Sequence, residues 1–144
     1  MLVARVRESG YTARVVSGKG KTSPVAAVMA LPQGFTLLDE TITQARNENK
    51  PVVIDFFAEW CAPCMRMEKT TFVDEGVRSL LDRCVFLRID TDRQPEISRR
   101  MNVEGLPDIR FVTPDGKVVK QLRSYQDAES FAEELGRFLP SLAR

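Results

Sequence analysis

An apolar segment that leads into a pair of cysteines is the most informative stretch of this sequence. Residues 51–57 are apolar apart from Asp55, which is typical of a strand buried on both faces of a sheet. A helix is predicted to begin at about Ala62. The pair Cys61 and Cys64 is therefore expected at the point where a buried strand passes into a helix.

The rest of the chain, from Phe35 onward, alternates between helical and strand patterns. Leu38, Ile42 and Ala45 recur at helical spacing, and Asp39 is the predicted N-cap of that helix. The remaining predictions are a helix at 75–82, a strand at 84–89, a helix at 95–101, a hairpin of strands at 109–112 and 117–122, and a last helix capped by Asp127 that carries Phe131, Leu135 and Phe138. This order predicts a three-layer α/β domain with a mixed sheet.

The composition excludes several classes of function. A chain of 144 residues suits one domain. Its 21 Lys and Arg against 20 Asp and Glu leave a net charge of +1, so no overall field attracts nucleic acid or an anionic membrane. The chain has no histidine and only three cysteines, which excludes Cys-His catalysis and four-thiolate zinc sites. Cysteine redox chemistry, carboxylate chemistry and binding remain.

Positive charge is concentrated at the start of the chain. Residues 1–21 contain five Lys and Arg against one Glu, a charge of +4, so the remainder carries −3. Residues 17–24 are small, polar and rich in glycine, as linkers are. We therefore predict a basic arm and linker over residues 1–23 and a folded domain over residues 24–144. The arm is expected to be either an added edge strand or a disordered tail.

The cysteine pair has the spacing that disulfide exchange requires. At a helix N-terminus, Cys61 would face free backbone N–H groups that stabilise a thiolate, and such placement lowers a thiol pKa from about 8.5 into the range of about 3.5–7.5. Cys64 follows one turn later, close enough to resolve a mixed disulfide. Pro63 fits the first turn of a helix, where no N–H donor is needed.

Three alternatives to redox chemistry exist for the pair: a structural disulfide, half of a metal site, and two buried cysteines. The preceding strand, the following helix, the single tryptophan Trp60 and the lack of further ligands favour redox chemistry. The third cysteine, Cys84, is predicted to be a core residue that behaves as a small hydrophobe.

Two carboxylates are candidate partners of the cysteines. Burial of Asp55 within its strand would raise its pKa and suit it to exchange a proton with a nearby thiol; the alternative is a strand edge that faces water. Glu68 lies four residues after Cys64 and seven after Cys61, on the same helix face. It would oppose formation of the Cys61 thiolate, unless it is a solvated surface residue.

These motifs together resemble the thioredoxin superfamily over residues 35–142. Residues 53–64 are similar to its active-site strand and loop, and residues 103–107 to its cis-proline loop. The resemblance implies a thioredoxin fold, with a mixed sheet of four to five strands flanked by helices on both faces. It also implies that Cys61 is the nucleophile, Cys64 the resolving cysteine and Asp55 the buried acid.

The resemblance extends to the substrate-binding surface. It implies that Pro107 is cis and packs against the disulfide, and that the backbone at Leu106 pairs with an extended substrate segment. Trp60 is expected to contact the substrate beside them. Where the family commonly has threonine after the cis proline, this chain has Asp108.

Residues 64–72 are similar to the C-terminal domain of the thiol:disulfide interchange protein DsbD and its relatives. In those proteins an acid that matches Glu68 accompanies the buried aspartate. Glu68 and Pro63 are therefore expected to modulate the reactivity of the cysteines.

The predicted function is that of a thiol:disulfide oxidoreductase, more a reductase than an oxidase, acting on protein thiols and disulfides. No metal or organic cofactor is expected. The expected partners include an upstream reductase or membrane electron relay but no nucleic acid. The protein is expected to be a monomer. The alternatives are a soft-metal-binding protein and an adaptor. The compartment stays open: residues 19–30 are a poor export signal, which favours the cytoplasm, whereas the DsbD resemblance favours an extracytoplasmic site.

Overall fold

A mixed β-sheet forms the centre of the computed structural model, which describes residues 29–142. Its strands are β1 (Met29–Ala30), β2 (Val52–Phe57), β3 (Val85–Asp90), β4 (Asp108–Val112) and β5 (Lys117–Leu122). The spatial order is β1-β5-β4-β2-β3, with β2 parallel to β3 and the other neighbours antiparallel. The mixed sheet and the β4–β5 hairpin are thus confirmed.

The helices are α1 (Thr36–Glu48), α2 (Ala62–Arg66), α3 (Glu75–Leu81), α4 (Pro95–Arg100) and α5 (Ala128–Leu142). A π-helical turn, Met67–Thr71, continues α2 directly. Within it the N–H of Phe72 donates to the carbonyl of Met67 over 2.9 Å, a feature that the sequence pattern did not predict. None of the helices in the described part of the chain has the length and apolar character that a membrane span needs.

Helices cover both faces of the sheet because alternate strand residues point to opposite sides. Ile54 and Phe56 of β2 pack on one side with α1 and α4, whereas Val53 packs on the other side with α3 and α5. The second cluster includes the predicted helix residues Phe131, Leu135 and Phe138. The predicted three-layer arrangement is therefore confirmed.

The two predicted helix caps had different outcomes. The carboxylate of Asp127 accepts the N–H of Ser130 over 2.8 Å, as predicted for the start of α5. The prediction for Asp39 was wrong, because α1 begins at Thr36 with Phe35 as its N-cap. The Phe35 carbonyl accepts the N–H of Asp39 over 2.8 Å, so this acid lies in the first turn, where it complements the helix dipole.

The predicted arm and linker over residues 1–23 lie outside the described residues, so the boundary at residue 24 stays a prediction. The first described element is the edge strand β1, in which Met29 is opposite Val118 and Ala30 is opposite Lys117. Strand β1 precedes α1, the helix that the spacing of Leu38, Ile42 and Ala45 predicted.

Candidate active site

The two predicted redox cysteines lie at the start of α2, directly after the loop that leaves β2. Cys61 is the N-cap of α2, with extended backbone angles (φ −89°, ψ 104°). Its Sγ accepts the backbone N–H of Cys64 over 3.2 Å, and the two cysteines form a disulfide with their Cα atoms 5.3 Å apart. The sulfur of Cys61 therefore receives a backbone hydrogen bond that would also stabilise its thiolate.

The disulfide packs in a small apolar cluster. Cys61 and Cys64 are 5% and 2% exposed, and Phe57, Ala58, Met65 and Leu106 pack with them. Beside this cluster Trp60 is 70% exposed, and its indole N–H donates to the carboxylate of Asp92 over 3.1 Å. This hydrogen bond orients a large apolar ring at the surface next to the disulfide.

The predicted cis-proline loop is brought to the same place. The Leu106–Pro107 peptide bond is cis, Pro107 is buried and Leu106 packs against the cysteine cluster. Pro63 lies in the first turn of α2 and is exposed. The structure thus brings Leu106 to the disulfide, while substrate binding by this loop stays a prediction.

Asp55 is buried in the centre of β2, 2% exposed. Loss of solvation raises its pKa from 3.8 to about 6, and the charges of Glu68 and Asp108 act in the same direction. The guanidinium of Arg88 opposes this rise, with its Nε donating to Oδ2 of Asp55 over 2.9 Å. The carboxyl group consequently changes its protonation near neutral pH, as a group that exchanges protons with a thiol must.

Glu68 lies in the π-helical turn and is near the same arginine. Nη1 of Arg88 is 3.4 Å from Oε1 of Glu68, whose side chain is 40% exposed. Glu68 is therefore in part a solvated surface residue, as the alternative held, and it also lies beside a buried cation. Its effect on cysteine reactivity stays a prediction.

Sequence reasoning missed Arg88, which is almost completely buried on β3. A partial signal was present: residues 85–89 contain one arginine among apolar residues, just as Val52–Phe57 contains one aspartate. In the parallel pairing of these strands Arg88 is directly opposite Asp55. The sequence thus shows one charge in each buried segment, but the register that places the two charges opposite each other comes only from the structure.

A second buried ion pair, also missed, follows the cis proline. Arg110 donates to both carboxylate oxygens of Asp108 over 2.8 and 2.9 Å, and both residues are 1% exposed. The amide of Gln121 on β5 donates to the same two oxygens over 3.3 and 3.1 Å. The alternation of charged and apolar residues in β4 instead suggests a half-exposed strand, so the sequence pattern concealed this pair.

Cys84 is confirmed as a core residue. It is buried beside Leu81 and Phe86, its thiol donates weakly to the Leu80 carbonyl over 3.6 Å, and burial raises its pKa to about 12. A thiol in this state has almost no thiolate at neutral pH, so Cys84 is not suited to nucleophilic attack.

Titration of Asp55 is expected to appear in the stability of the oxidised protein. The raised pKa means that the folded chain holds this proton more tightly than the unfolded chain does. The free energy of unfolding therefore falls as the pH rises from about 4 to about 6. Two pKa units correspond to about 3 kcal/mol. Urea unfolding of wild type and Asp55→Asn gives the difference between their free energies of unfolding. This difference should shift in favour of Asp55→Asn by about this much as the pH rises from 4 to 7. A difference that does not change with pH would contradict the prediction.

Comparison with known proteins agrees with this arrangement. The family model described as Thioredoxin matches residues 36–137. A thioredoxin of Alicyclobacillus acidocaldarius is 31% identical over 105 residues, which cover 73% of this chain and 97% of that protein. The thiol:disulfide interchange protein DsbD of Photorhabdus laumondii is 35% identical over 104 residues, covering 68% of this chain but 18% of that protein.

The solved structures agree with the fold. The solution structure of a thioredoxin from Thermus thermophilus superimposes with a TM-score of 0.62 at 27% identity, over 67% of this chain and 79% of that one. The residues that the family model matches include the cysteine pair and the strands β2 to β5. By its sequence and its fold, this chain belongs to the thioredoxin family.

Proposed function

We propose that this chain is a thiol:disulfide oxidoreductase that reduces or exchanges disulfides of other proteins, working mainly as a reductase. The observation that carries the proposal is the disulfide-bonded Cys61, whose sulfur caps α2 and accepts the N–H of Cys64. Relatives named thioredoxin and DsbD support it. Since the chain spans only 18% of the DsbD relative, the activity of that whole protein is not implied.

The reaction begins from the reduced pair. The Cys61 thiolate attacks one sulfur of the substrate disulfide, the substrate S–S bond breaks, and one substrate thiolate leaves while a mixed disulfide forms. Cys64 then loses its proton and attacks the Cys61 sulfur, which releases the second substrate thiolate. Two electrons pass from Cys61 and Cys64 to the substrate, and the protons that the two cysteines lose end on the substrate thiols. A dithiol donor of an upstream reductase or membrane relay then reduces the Cys61–Cys64 disulfide.

Asp55 has the role of proton acceptor for Cys64. A carboxyl group whose pKa is about 6 is mostly ionised at pH 7 and able to take up the proton. Protonation of Asp55 at lower pH removes this acceptor, so the second step slows as the pH falls below about 6. Burial is what brings the pKa of Asp55 close enough to that of a thiol for the transfer to be useful.

The substrate is proposed to bind beside the exposed Trp60 and along the loop at Leu106 and Pro107. Leu106 already contacts the cysteine cluster, so an extended segment that hydrogen-bonds to this backbone would bring its disulfide to Cys61. The protein is proposed to act as a monomer, without a cofactor. For the soft-metal alternative, residues 29–142 hold no group of three or more acidic or cysteine side chains arranged to bind a metal.

Trapping of the mixed disulfide tests the proposal. In Cys64→Ser the resolving thiol is missing, so the attack of Cys61 is expected to stop at a covalent adduct with a disulfide-containing protein such as insulin. Non-reducing electrophoresis and mass spectrometry would detect an adduct at Cys61 that dithiothreitol reverses. The double variant Cys61→Ser/Cys64→Ser retains Cys84 and should form none. No adduct in Cys64→Ser, or an equal amount in the double variant, would refute the proposal.

A further inference from the structure

The residue that follows the cis proline carries a buried charge. Asp108 is the first residue of β4, directly after Pro107, and it is 1% exposed. Its carboxylate accepts hydrogen bonds from Arg110 on the same strand and from Gln121 on β5. These three side chains are called the Asp108 cluster below. The cluster ties the first residue of β4 to its neighbouring strand.

The Asp108 cluster lies on the side of the sheet where the cis-proline loop packs. In the pairing of β4 with β2, Asp108 is opposite Phe56 and Arg110 is opposite Ile54. Directly opposite residues share one face of a sheet, and Phe56 and Ile54 belong to the apolar cluster shared with α1 and α4. Leu106, which precedes the cis proline, packs against the same apolar cluster. The buried charges and the loop therefore occupy the same side.

The cis-proline loop, residues 103–107, is held by hydrogen bonds at its two ends. At its start the N–H of Val103 donates to the carbonyl of Ser98 over 3.0 Å. At its end Asp108 enters the sheet opposite Phe56. Residues 104–107 between these points make no hydrogen bond to another described residue. The geometry of the loop backbone therefore depends on the packing of Leu106 and on how firmly Asp108 is fixed.

A buried ion pair fixes direction better than it adds stability. Removing two charges from water has a large cost in free energy, and apolar residues of similar volume often replace such a pair without loss. The planar guanidinium of Arg110 instead holds both carboxylate oxygens of Asp108 in one orientation. The Gln121 amide holds the same oxygens from β5. The cluster consequently fixes the orientation of the residue next to the cis proline.

We propose that the Asp108 cluster positions the cis-proline loop, so that the backbone at Leu106 is preorganised to pair with an extended segment of a protein substrate. This inference rests on the proposed function and deepens it, because it names residues that favour protein disulfides over small ones. A misplacement of binding groups by about 1 Å can slow a reaction by up to about 100-fold. A small disulfide, in contrast, requires only access to the Cys61 sulfur.

Reaction with two kinds of disulfide tests the proposal. Reduced protein is mixed with insulin or with 2-hydroxyethyl disulfide, and the ratio of the two second-order rate constants is determined. Asp108→Asn/Arg110→Met removes both charges together, which limits the loss of stability, and it should lower the insulin-to-small-disulfide ratio by about fivefold or more. Asp108 also raises the pKa of Asp55, but this effect acts on the cysteines with either disulfide and cancels in the ratio.

The matched control is Lys120→Met. Lys120 is the neighbour of Gln121 on β5, its side chain is 45% exposed, and it pairs with Glu134 rather than with the Asp108 cluster. This variant also loses one charge near the end of the sheet, and it should leave the ratio of rate constants unchanged.

A second measurement does not depend on activity. NMR relaxation gives backbone order parameters for Gly105 and Leu106. In Asp108→Asn/Arg110→Met these should fall from the value of a rigid backbone, about 0.85, toward that of a flexible one, about 0.6. Lys120→Met should keep the values of wild type.

The outcomes separate this inference from the proposed function. A folded double variant with an unchanged rate ratio, or with unchanged order parameters in the loop, would overturn the role of the Asp108 cluster. If the double variant does not fold, Gln121→Ala decides, since it retains the ion pair but frees it from β5. It should lower the ratio by about twofold or more, and a smaller change overturns the inference. Wild-type protein without any disulfide reductase activity would refute the proposed function, and the order parameters would still test whether the cluster fixes the loop.

Discussion

Cys61→Ser is expected to reduce disulfide reductase activity by about 10³-fold or more, because no other group of the site can replace the attacking thiolate. The Cys61 sulfur is the one that accepts the backbone N–H at the start of α2. A serine hydroxyl at this position stays protonated at neutral pH and cannot form a disulfide. The measurement is the rate of insulin reduction with dithiothreitol as electron donor.

Cys84→Ala is the matched control for this experiment. Cys84 is also a cysteine of the folded domain, but it is buried among the residues between the sheet and α3. Its removal is expected to lower stability by a small amount and to leave the rate of insulin reduction unchanged. Activity of Cys61→Ser equal to that of wild type would mean that the capped sulfur is not the nucleophile.

Arg110→Met is expected to lower the free energy of unfolding by about 3–5 kcal/mol, because it leaves the buried carboxylate of Asp108 without a cation. Both side chains are 1% exposed and joined by two hydrogen bonds. The Gln121 amide, which donates to both oxygens of Asp108, would be left to compensate the negative charge. Chemical denaturation at pH 7 measures the loss.

Two controls separate lost pairing from lost packing. Asp108→Asn/Arg110→Met removes both charges while keeping a side-chain partner for Gln121, so it should recover most of the loss. Arg137→Met removes an arginine that is 66% exposed and 3.8 Å from Glu134, and it should cost less than about 1 kcal/mol. A loss in Arg110→Met no larger than that in Arg137→Met would contradict the prediction.

The pattern of apolar residues was sufficient to predict the layers of the fold. Burial of β2 on both faces was readable from residues 51–57, since a strand covered by helices on both sides must be apolar at every position. Helix ends were less predictable. Asp39 has the chemistry of an N-cap, but the helix begins at Thr36 and already includes the buried Leu38.

The candidate site was predictable where neighbours along the chain create the chemistry. Cys61, Cys64 and Pro63 belong to one short segment, and their arrangement follows from where a strand ends and a helix begins. Arg88 was not predictable in this way, because it is 33 residues from Asp55 along the chain. Its partner is determined by the register of two parallel strands.

The amino-acid sequence alone determined the redox pair, the buried acid and the α/β layering, because each depends on spacing and polarity within a single segment. Only the tertiary structure decided which cation faces Asp55, where Glu68 points and how Asp108 is neutralised. These contacts depend on strand register and on the packing of a π-helical turn against the sheet, and a change of one residue in register would place each charge on the other face.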